Sequence, residues 1–419
     1  MFKFIHAADI HLDSPLRGLE RYEGAPAGEI RLATRSALDH LVALAVDERV
    51  AFVLIAGDLY DGEWTCHNTG LHFVSRMSRL REAGIKVILI RGNHDAANVN
   101  TKALRLPENV RLLSSDAPET VDVDGVEVAI HGQSYATRAV TRDLSGAYPV
   151  GRRGAFNIGL LHTCAEDHNE HERYAPCTIA DLRSKEYDYW ALGHVHGRRD
   201  LHRPGEPPIA FAGNVQGRHI REAGAKGCLL VTVDDSGRAT PEFRALDVFR
   251  WNLCRVEADG AVDAEDLLGR VADRVAGLVE AGEGRPVAAR VEVAGACRAH
   301  DRVGRDPEGW AQQVRAAAID ASGGRVWVEK VKIRTKPPRD AVPAADLDGP
   351  IGELLGYLGE LRDDPARFEQ LVAETLGELR TRLPFDMREI VEKPEWHREV
   401  LDQLGPMLVG KLGLAGDPA

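Results

Sequence analysis

The sequence predicts a layered α/β protein with a second, smaller α/β module and a helical C-terminal segment. Three observations predict it. In the first 250 residues, short apolar runs of strand length each stop abruptly at polar residues. Segments of helical periodicity separate those runs, so strand, loop and helix alternate. Beyond residue 338, a proline-containing stretch gives way to helical patterning alone.

In chain order, Phe2–His6 leads into Ala7-Ala8-Asp9, Ala51–Ala56 into Gly57-Asp58, and Ile85–Ile90 into Arg91-Gly92-Asn93-His94. Phe156–Leu161 leads into His162, Tyr187–Leu192 into Gly193-His194, and Pro208–Ala212 into Gly213-Asn214. Most are rich in β-branched residues and all are too short for helices, which marks them as buried strands. Ile30–Arg49 and Thr69–Ala83 carry the helical period. From Arg250 the pattern changes. Trp251–Glu257, Val287–Val293 and Val326–Ile333 read as strands, with amphipathic Ala264–Ala281 and Pro307–Ala321 between them, a βαβαβ module. Lys336-Pro337-Pro338 through Pro343 reads as a linker, because consecutive prolines disfavour helix and central strand alike. Ile351–Leu361 and Pro365–Arg382 then read as helices, the second capped by Asp363-Asp364, and a third run follows Pro394. The expected domains are residues 1–250, 251–338 and 339–419.

Composition narrows the class. Of 419 residues, 44% are hydrophobic and 28% charged, which supports a packed core and excludes wholesale disorder. No stretch approaches the roughly 20 apolar residues of a membrane span, and the N-terminus lacks a signal-peptide pattern, so a cytoplasmic protein without membrane contact is expected. Six scattered cysteines give no disulfide framework. The net charge of −12 argues against a nonspecific nucleic-acid coat, but not against an enzyme with local contacts. Its surplus is concentrated after residue 340, where 16 acidic face 8 basic side chains.

The strand exits carry the chemistry. Asp9-x-His11 comes first, then Gly57-Asp58-Leu59-Tyr60-Asp61 and Gly92-Asn93-His94-Asp95, then His162 and Gly193-His194-Val195-His196. Loops at the carboxyl ends of strands converge on one edge of an α/β sheet, so these groups can meet. A strand-terminal Asp or a Gly-Asp pair taken singly is ordinary turn chemistry. The ordered series is not. Mixed carboxylates and imidazoles without cysteine suit Mn²⁺, Zn²⁺ or Fe²⁺ and disfavour structural zinc.

These five strings resemble the signatures of calcineurin-like metallophosphoesterases over about residues 1–245. His6-Ala7-Ala8-Asp9-Ile10-His11-Leu12-Asp13-Ser14-Pro15, His171–Cys177 and Gly213-Asn214-Val215-Gln216-Gly217-Arg218-His219 are similar to the YhaO-like branch of SbcD-like DNA repair exonucleases. The resemblance implies a four-layer αββα sandwich and two divalent metal ions, with Mn²⁺ the expected pair. It implies that Asp9, His11 and His196 hold one ion, that Asn93, His162 and His194 hold the other, and that Asp58 bridges both. His94 is then the candidate acid for the leaving group and Asp61 the carboxylate that orients it, with Arg218 and His219 on the substrate.

The expected activity is hydrolysis of DNA at ends in repair, as an exonuclease that also cuts single-stranded or hairpin DNA, with the middle module capping the site and a nucleoid-associated location. An SMC-like coiled-coil ATPase is the expected partner of the C-terminal helices, through Leu354, Leu355, Leu358 and Leu361. The alternative is that this stripe packs on its own domain or a homodimer mate. Arg17, Arg152-Arg153, Arg198-Arg199 and Arg221 are further candidates for a phosphate track, and Lys330, Lys332, Arg334, Lys336 and Arg339 form a basic run that is either solvated or DNA-facing. Cys164, His168, His171 and Cys177 read as a polar loop over the site, with a third metal site as the weaker alternative. Two other functions share the metal motifs: a phosphoesterase for a nucleotide, cyclic nucleotide or phosphoprotein, and a non-catalytic scaffold subunit.

Overall fold

The structure, a computed structural model, describes residues 1–14, 32–61, 68–96, 105–165, 174–338 and 350–382, with 394, 396–398, 400–402 and 404. It divides into two units, Met1–Asn252 with Gly282–Ala289, and Leu253–Ala281 with Arg290–Ala419.

In the first unit β1 (Phe2–Ala7), α1 (Ala33–Asp47), β2 (Phe52–Ala56), α2 (Asn68–Glu82), β3 (Lys86–Ile90), the single turn α3 (Asn93–Ala96) and β4 (Val110–Leu112) alternate. β5 (Glu119–Asp122), β6 (Val128–Gly132), β7 (Phe156–His162), α4 (Ile179–Arg183), β8 (Tyr189–Gly193), β9 (Arg199–Asp200) and β10 (Ile209–Phe211) follow. The hairpin β11 (Gly227–Val233) and β12 (Ala239–Ala245) completes it.

Two six-stranded sheets result, ordered β12-β11-β1-β2-β3-β4 and β5-β6-β7-β8-β10-β9. β1 to β4 run parallel, as do β6, β7, β8 and β10, and antiparallel strands close every edge but that of β4. β2 and β7 are buried along their whole length, which explains their unbroken apolar runs. One core fills the space between the sheets. Phe4 and Phe52 stack at 5.0 Å there, and Phe4 meets Tyr189 of the other sheet edge-on at 5.3 Å. A second core joins the far face of the first sheet to α1, through Ala37, Leu38, Leu41 and Ala45, and to α2, through Phe73, Met77 and Leu80. A third packs α4 and the Leu144–Tyr148 turn on the outer face of the second sheet around Trp190. The order is therefore helix, sheet, sheet, helix. The C-terminal helices apart, the strands that ligand-bearing exits do not mark, such as β6 and the β11–β12 hairpin, are those the apolar runs tied to chemistry leave out.

Most of β13 (Arg250–Glu257) and of β14 (Val287–Ala296) lies in the second unit, with α5 (Ala264–Ala281), α6 (His300–Arg305), α7 (Pro307–Ser322) and β15 (Val326–Lys336), and the sheet order is β13-β14-β15. The short α6 is additional to the expected βαβαβ pattern, because Asp306-Pro307 stops it and restarts the chain as α7, with Asp306 Oδ1 accepting the Gly309 N–H. α8 (Pro350–Asp363) and α9 (Pro365–Arg382) follow. In the leucine stripe, Leu361 is buried with Phe368 and Leu401, Leu355 is buried, and Leu354 is exposed. Most of the expected linker, including Arg339, lies outside the described residues. No helix among the described residues is long and apolar enough to cross a membrane.

Candidate metal centre

The loops after β1, β2, β3, β7 and β8 leave the carboxyl ends of parallel strands and meet between the two sheets. Backbone pairing continues past the strand ends: Asp9, His11 and Leu12 donate to the carbonyls of Gly57, Asp58 and Leu59 at 3.0, 3.0 and 2.9 Å. Four of the candidate ligands sit at positive φ, namely Asp9 at 50°, His11 at 45°, Asp58 at 49° and His194 at 100°. Such backbone costs on the order of 1–3 kcal/mol per residue and persists where the surroundings over-determine it. Gly57 and Gly92 keep the loops close. A Cβ on Gly57 would lie 2.4 Å from His162 Nδ1, and one on Gly92 would lie 2.3 Å from Asp58 Oδ1.

Two groups of candidate ligands form. In Asp9, His11 and His196 the ligand atoms lie within 4.8 Å of one another, and so do those of Asp58, His162 and His194. Asp58 Oδ2 stands 3.5 Å from His162 Nε2 and 3.9 Å from His11 Nε2, between the groups. Asn93 Oδ1 lies 3.0 Å from His162 Nε2. All seven side chains proposed from the sequence as ligands are thus brought together.

The donor set fits divalent cations. His162 Nδ1 lies 2.8 Å from the Ala56 carbonyl, which only accepts, so Nδ1 carries the proton and a neutral ring turns the Nε2 lone pair toward Asn93 Oδ1 and Asp58. His11 Nε2 faces His196 Nε2 at 3.2 Å, and buried His11 Nδ1 has no hydrogen-bond partner, Asp61 Oδ1 being 3.6 Å away. Oxygen and nitrogen lone pairs gathered in this way are stabilised by a positive charge among them. The electrostatics show where a cation would take the place of a proton, at His162, and where a neutral ring already stands, at His11. Burial opposes the charged form of His162, yet Asp58 raises its pKa to about 9. Burial, and then Arg218, push His11 down to about 3, leaving a neutral ligand. Burial raises the Asp9 carboxyl, whereas Asp58, despite burial, is held well below the usual range by His162 and His11.

His94 stands on the open side with its side chain 32% exposed, enough to meet a substrate. Its Nδ1 lies 2.9 Å from Asp61 Oδ1, and Ser14 Oγ donates to Asp61 Oδ2 at 2.6 Å. Burial lowers the His94 pKa, but the Asp61 bond and the Asp58 charge carry it above its ordinary value. His94 also forms a third candidate group with His11 and Asp58.

Arg218 reaches the same wall. Its guanidinium lies 3.3 Å from Glu222 Oε1 and 3.6 Å from Asp61 Oδ2, while His219 is half-exposed beside Glu222 at 3.4 Å. Among the other arginines, Arg152 pairs with Asp122 and Arg198 stacks on Phe243. Lys332 pairs with Glu292, and Lys330, Arg334 and Lys336 are exposed. His168, His171 and Arg17 lie outside the described residues; Cys164 and Cys177 are buried thiols.

Three contributors carry no role in the sequence reading. The buried Asp95 carboxylate accepts the N–H groups of Leu59, Tyr60 and Gly92 at 3.0, 2.9 and 3.2 Å, stapling the loop after β2 to the loop after β3. Its place in Gly92-Asn93-His94-Asp95 was the available signal. Tyr135 donates to the His162 carbonyl at 2.8 Å and packs its ring edge-on against that imidazole. Glu222 Oε1 lies 2.7 Å from His196 Nδ1. Neither lies in a run that period or spacing singles out.

Comparison with known proteins bears on this geometry. Residues 2–198 match the calcineurin-like phosphoesterase family, and residues 251–336 match the middle domain of metallophosphoesterase YhaO. The chain is 37% identical over 296 residues to the uncharacterized metallophosphoesterase YhaO of Bacillus subtilis (strain 168), covering 70% of this chain and 71% of that protein. It is 28% identical over 221 residues to the DNA double-strand break repair protein Mre11 of Sulfurisphaera tokodaii, covering 51% of this chain and 53% of that protein. To the protein of the same name from Methanopyrus kandleri it is 25% identical over 297 residues, covering 64% of this chain and 62% of that protein. A dimetal phosphatase from Danio rerio superposes with a TM-score of 0.37 at 13% identity, covering 58% of this chain and 96% of that one.

Proposed function

The chain belongs to the calcineurin-like metallophosphoesterase family, and from that premise we propose that it is a dinuclear-metal phosphodiesterase that hydrolyses DNA at strand ends. The observation that carries the proposal is Asp58 lying between the Asp9–His11–His196 and His162–His194 groups, with His94 held by Asp61 on their open side. The DNA substrate is supported by the relatives named as DNA double-strand break repair proteins.

Asp9, His11 and His196 would hold one ion, Asn93, His162 and His194 the other, with Asp58 shared. Two divalent cations, Mn²⁺ in this proposal, would supply the charge that acidifies a water and neutralises the phosphate oxygens. The chain's own groups do the rest. His94, with its Nδ1 proton held on Asp61, presents Nε2 to the substrate side and delivers a proton to the leaving oxygen as the P–O bond breaks. Asp61 fixes that ring and stabilises its charged form. Asp95 holds two of the ligand loops in one geometry, so that the donors need little rearrangement.

End-labelled duplex, hairpin and single-stranded DNA, incubated with the protein and Mn²⁺ beside an aryl phosphodiester, test the proposal. Shortening of DNA from its ends is expected. Hydrolysis of the aryl ester with every DNA form left intact would favour a nucleotide or phosphoprotein substrate, and no turnover of any ester with any divalent metal would favour the scaffold. The proposal extends to an SMC-like ATPase bound by the C-terminal helices, tested by co-elution of the two chains on size exclusion.

A further inference from the structure

The 3-10 turn Ile220–Glu222 brings a carboxylate into the wall of the metal centre. Glu222 is 5% exposed and its two oxygens face nitrogen atoms. Its Oε2 receives the backbone N–H of Arg218 at 2.7 Å and Asn214 Nδ2 at 2.9 Å. Its Oε1 faces His196 Nδ1 at 2.7 Å and the Arg218 guanidinium at 3.3 Å. A carboxylate only accepts, so the 2.7 Å contact places the shared proton on His196 Nδ1; Arg218 Nη2, which also stands 3.3 Å from that nitrogen, donates to Glu222 Oε1 at the same distance. The lone pair of the neutral ring is then at Nε2, the nitrogen that stands 3.2 Å from His11 Nε2 inside the Asp9–His11–His196 group.

We infer that Glu222 is a positioning residue for that cation site: it holds His196 in the Nδ1–H form and aims Nε2 at the ion. The inference rests on the metallophosphoesterase reading and deepens it, by adding a carboxylate behind one ligand. Imidazole ligands depend on such partners for ring orientation and basicity. The same guanidinium lies 3.6 Å from Asp61 Oδ2, so one cation braces both the carboxylate behind His196 and the carboxylate behind His94.

Glu222→Gln tests the inference with almost no change of shape. Two donors converge on the Oε2 position, so the amide carbonyl settles there and the amide NH₂ faces His196 Nδ1. The ring must then accept at Nδ1 and carry its proton on Nε2, which removes the lone pair the ion requires. Titration calorimetry of the metal-free full-length protein with MnCl₂ is expected to show two sites in the wild type. In Glu222→Gln one site is expected unchanged and the other weakened roughly 10–100-fold. Asn214→Ala, which withdraws a donor from the other carboxylate oxygen, is expected to keep both affinities. Two undiminished sites in Glu222→Gln would overturn the inference, as would an equal loss in Asn214→Ala, since disruption of the turn would then explain both.

Long-range ¹H–¹⁵N spectra of the metal-free wild type, with His196 assigned through His196→Gln, read the tautomer without any Glu222 variant. Nδ1–H is expected, and Nε2–H would overturn the inference even if Glu222→Gln fails to fold. A wild type that binds no Mn²⁺ at all would sink the metallophosphoesterase reading itself, and the inference with it.

Discussion

His6 Nε2 donates to the carbonyl oxygen of Leu192 across 3.1 Å, joining the first strand of one sheet to the strand of the other that ends in Gly193. Tyr189 Oη donates to the other ring nitrogen at 3.0 Å. Beyond these bonds the Asp9 carboxylate accepts the His194 N–H at 3.1 Å. One fully buried imidazole therefore ties the two halves of the metal centre together from below.

That imidazole should leave a mark on acid stability. Burial pushes the His6 pKa down to about 4 from its ordinary 6.5, with the Leu192 carbonyl opposing only in part. The unfolded chain thus binds a proton that the folded chain refuses. The stability is fully present above pH 6.5 and is lost progressively as pH falls toward 4. At neutral pH His6→Gln is expected to be less stable than wild type by about 1–2 kcal/mol, having lost the Tyr189 bond. By the lower end of the window the difference should have shifted in the variant's favour by about 2–3 kcal/mol. Urea unfolding of both proteins in chelator across that range checks this; parallel pH curves would show that His6 does not titrate on unfolding.

The shared carboxylate should separate from the unshared one in metal-linked stability. Mn²⁺ at a hundred times its dissociation constant stabilises the fold by about 2.7 kcal/mol per site, seen as a higher Tm. Asp58→Asn is expected to abolish most of the Mn²⁺-dependent rise, because Asp58 lies between both groups. Asp9→Asn, which belongs to one group, should keep part of it. Differential scanning fluorimetry with and without MnCl₂ decides, and equal residual shifts in the two variants would argue against a shared ligand.

A methyl group is enough to disturb the centre. In Gly92→Ala the new Cβ would lie 2.3 Å from Asp58 Oδ1 and 2.7 Å from His162 Nε2, so the carboxylate and the imidazole must move. The variant is expected to lose the Mn²⁺-dependent rise in Tm and about 100-fold in turnover, since small displacements of reacting groups have effects of that size. Gly269→Ala, in the interior of α5 with nothing within 4 Å of its Cβ, should instead stabilise by about 0.5–1 kcal/mol and leave Mn²⁺ binding untouched.

His94 distinguishes an acid from a ligand. If its role is proton delivery from the Asp61-held ring, His94→Ala should bind two Mn²⁺ with wild-type affinity while kcat falls by about 10²–10⁴-fold. If its place beside His11 and Asp58 makes it a ligand, Mn²⁺ affinity should fall with it. Calorimetry and turnover on the same preparation separate the two. Full activity would remove His94 from the chemistry.

Local chemistry made much of this protein legible from its residues alone. The strands β1, β2, β3, β7 and β8 announce themselves as apolar runs, and each ends at a ligand-type side chain, so the α/β class and a pool of ligand-type residues follow from short-range pattern, while the choice of seven among them is what the family resemblance implies. Helices α1, α2, α5, α7 and α9 follow from period and caps for the same reason. A run with no marked residue at its exit, such as Val128–Gly132, carries a weaker signal.

Tertiary structure alone decided which groups support the ligands. Glu222 is 26 residues from His196, and His6 is 186 residues from Leu192. Neither separation follows a helix or strand period, so nothing in the order of residues pairs them. Their contacts depend on how one sheet lies against the other, and on a 3-10 turn whose carboxylate takes part in four hydrogen bonds. Ligand type is a property of a strand exit, whereas ligand orientation is a property of packing.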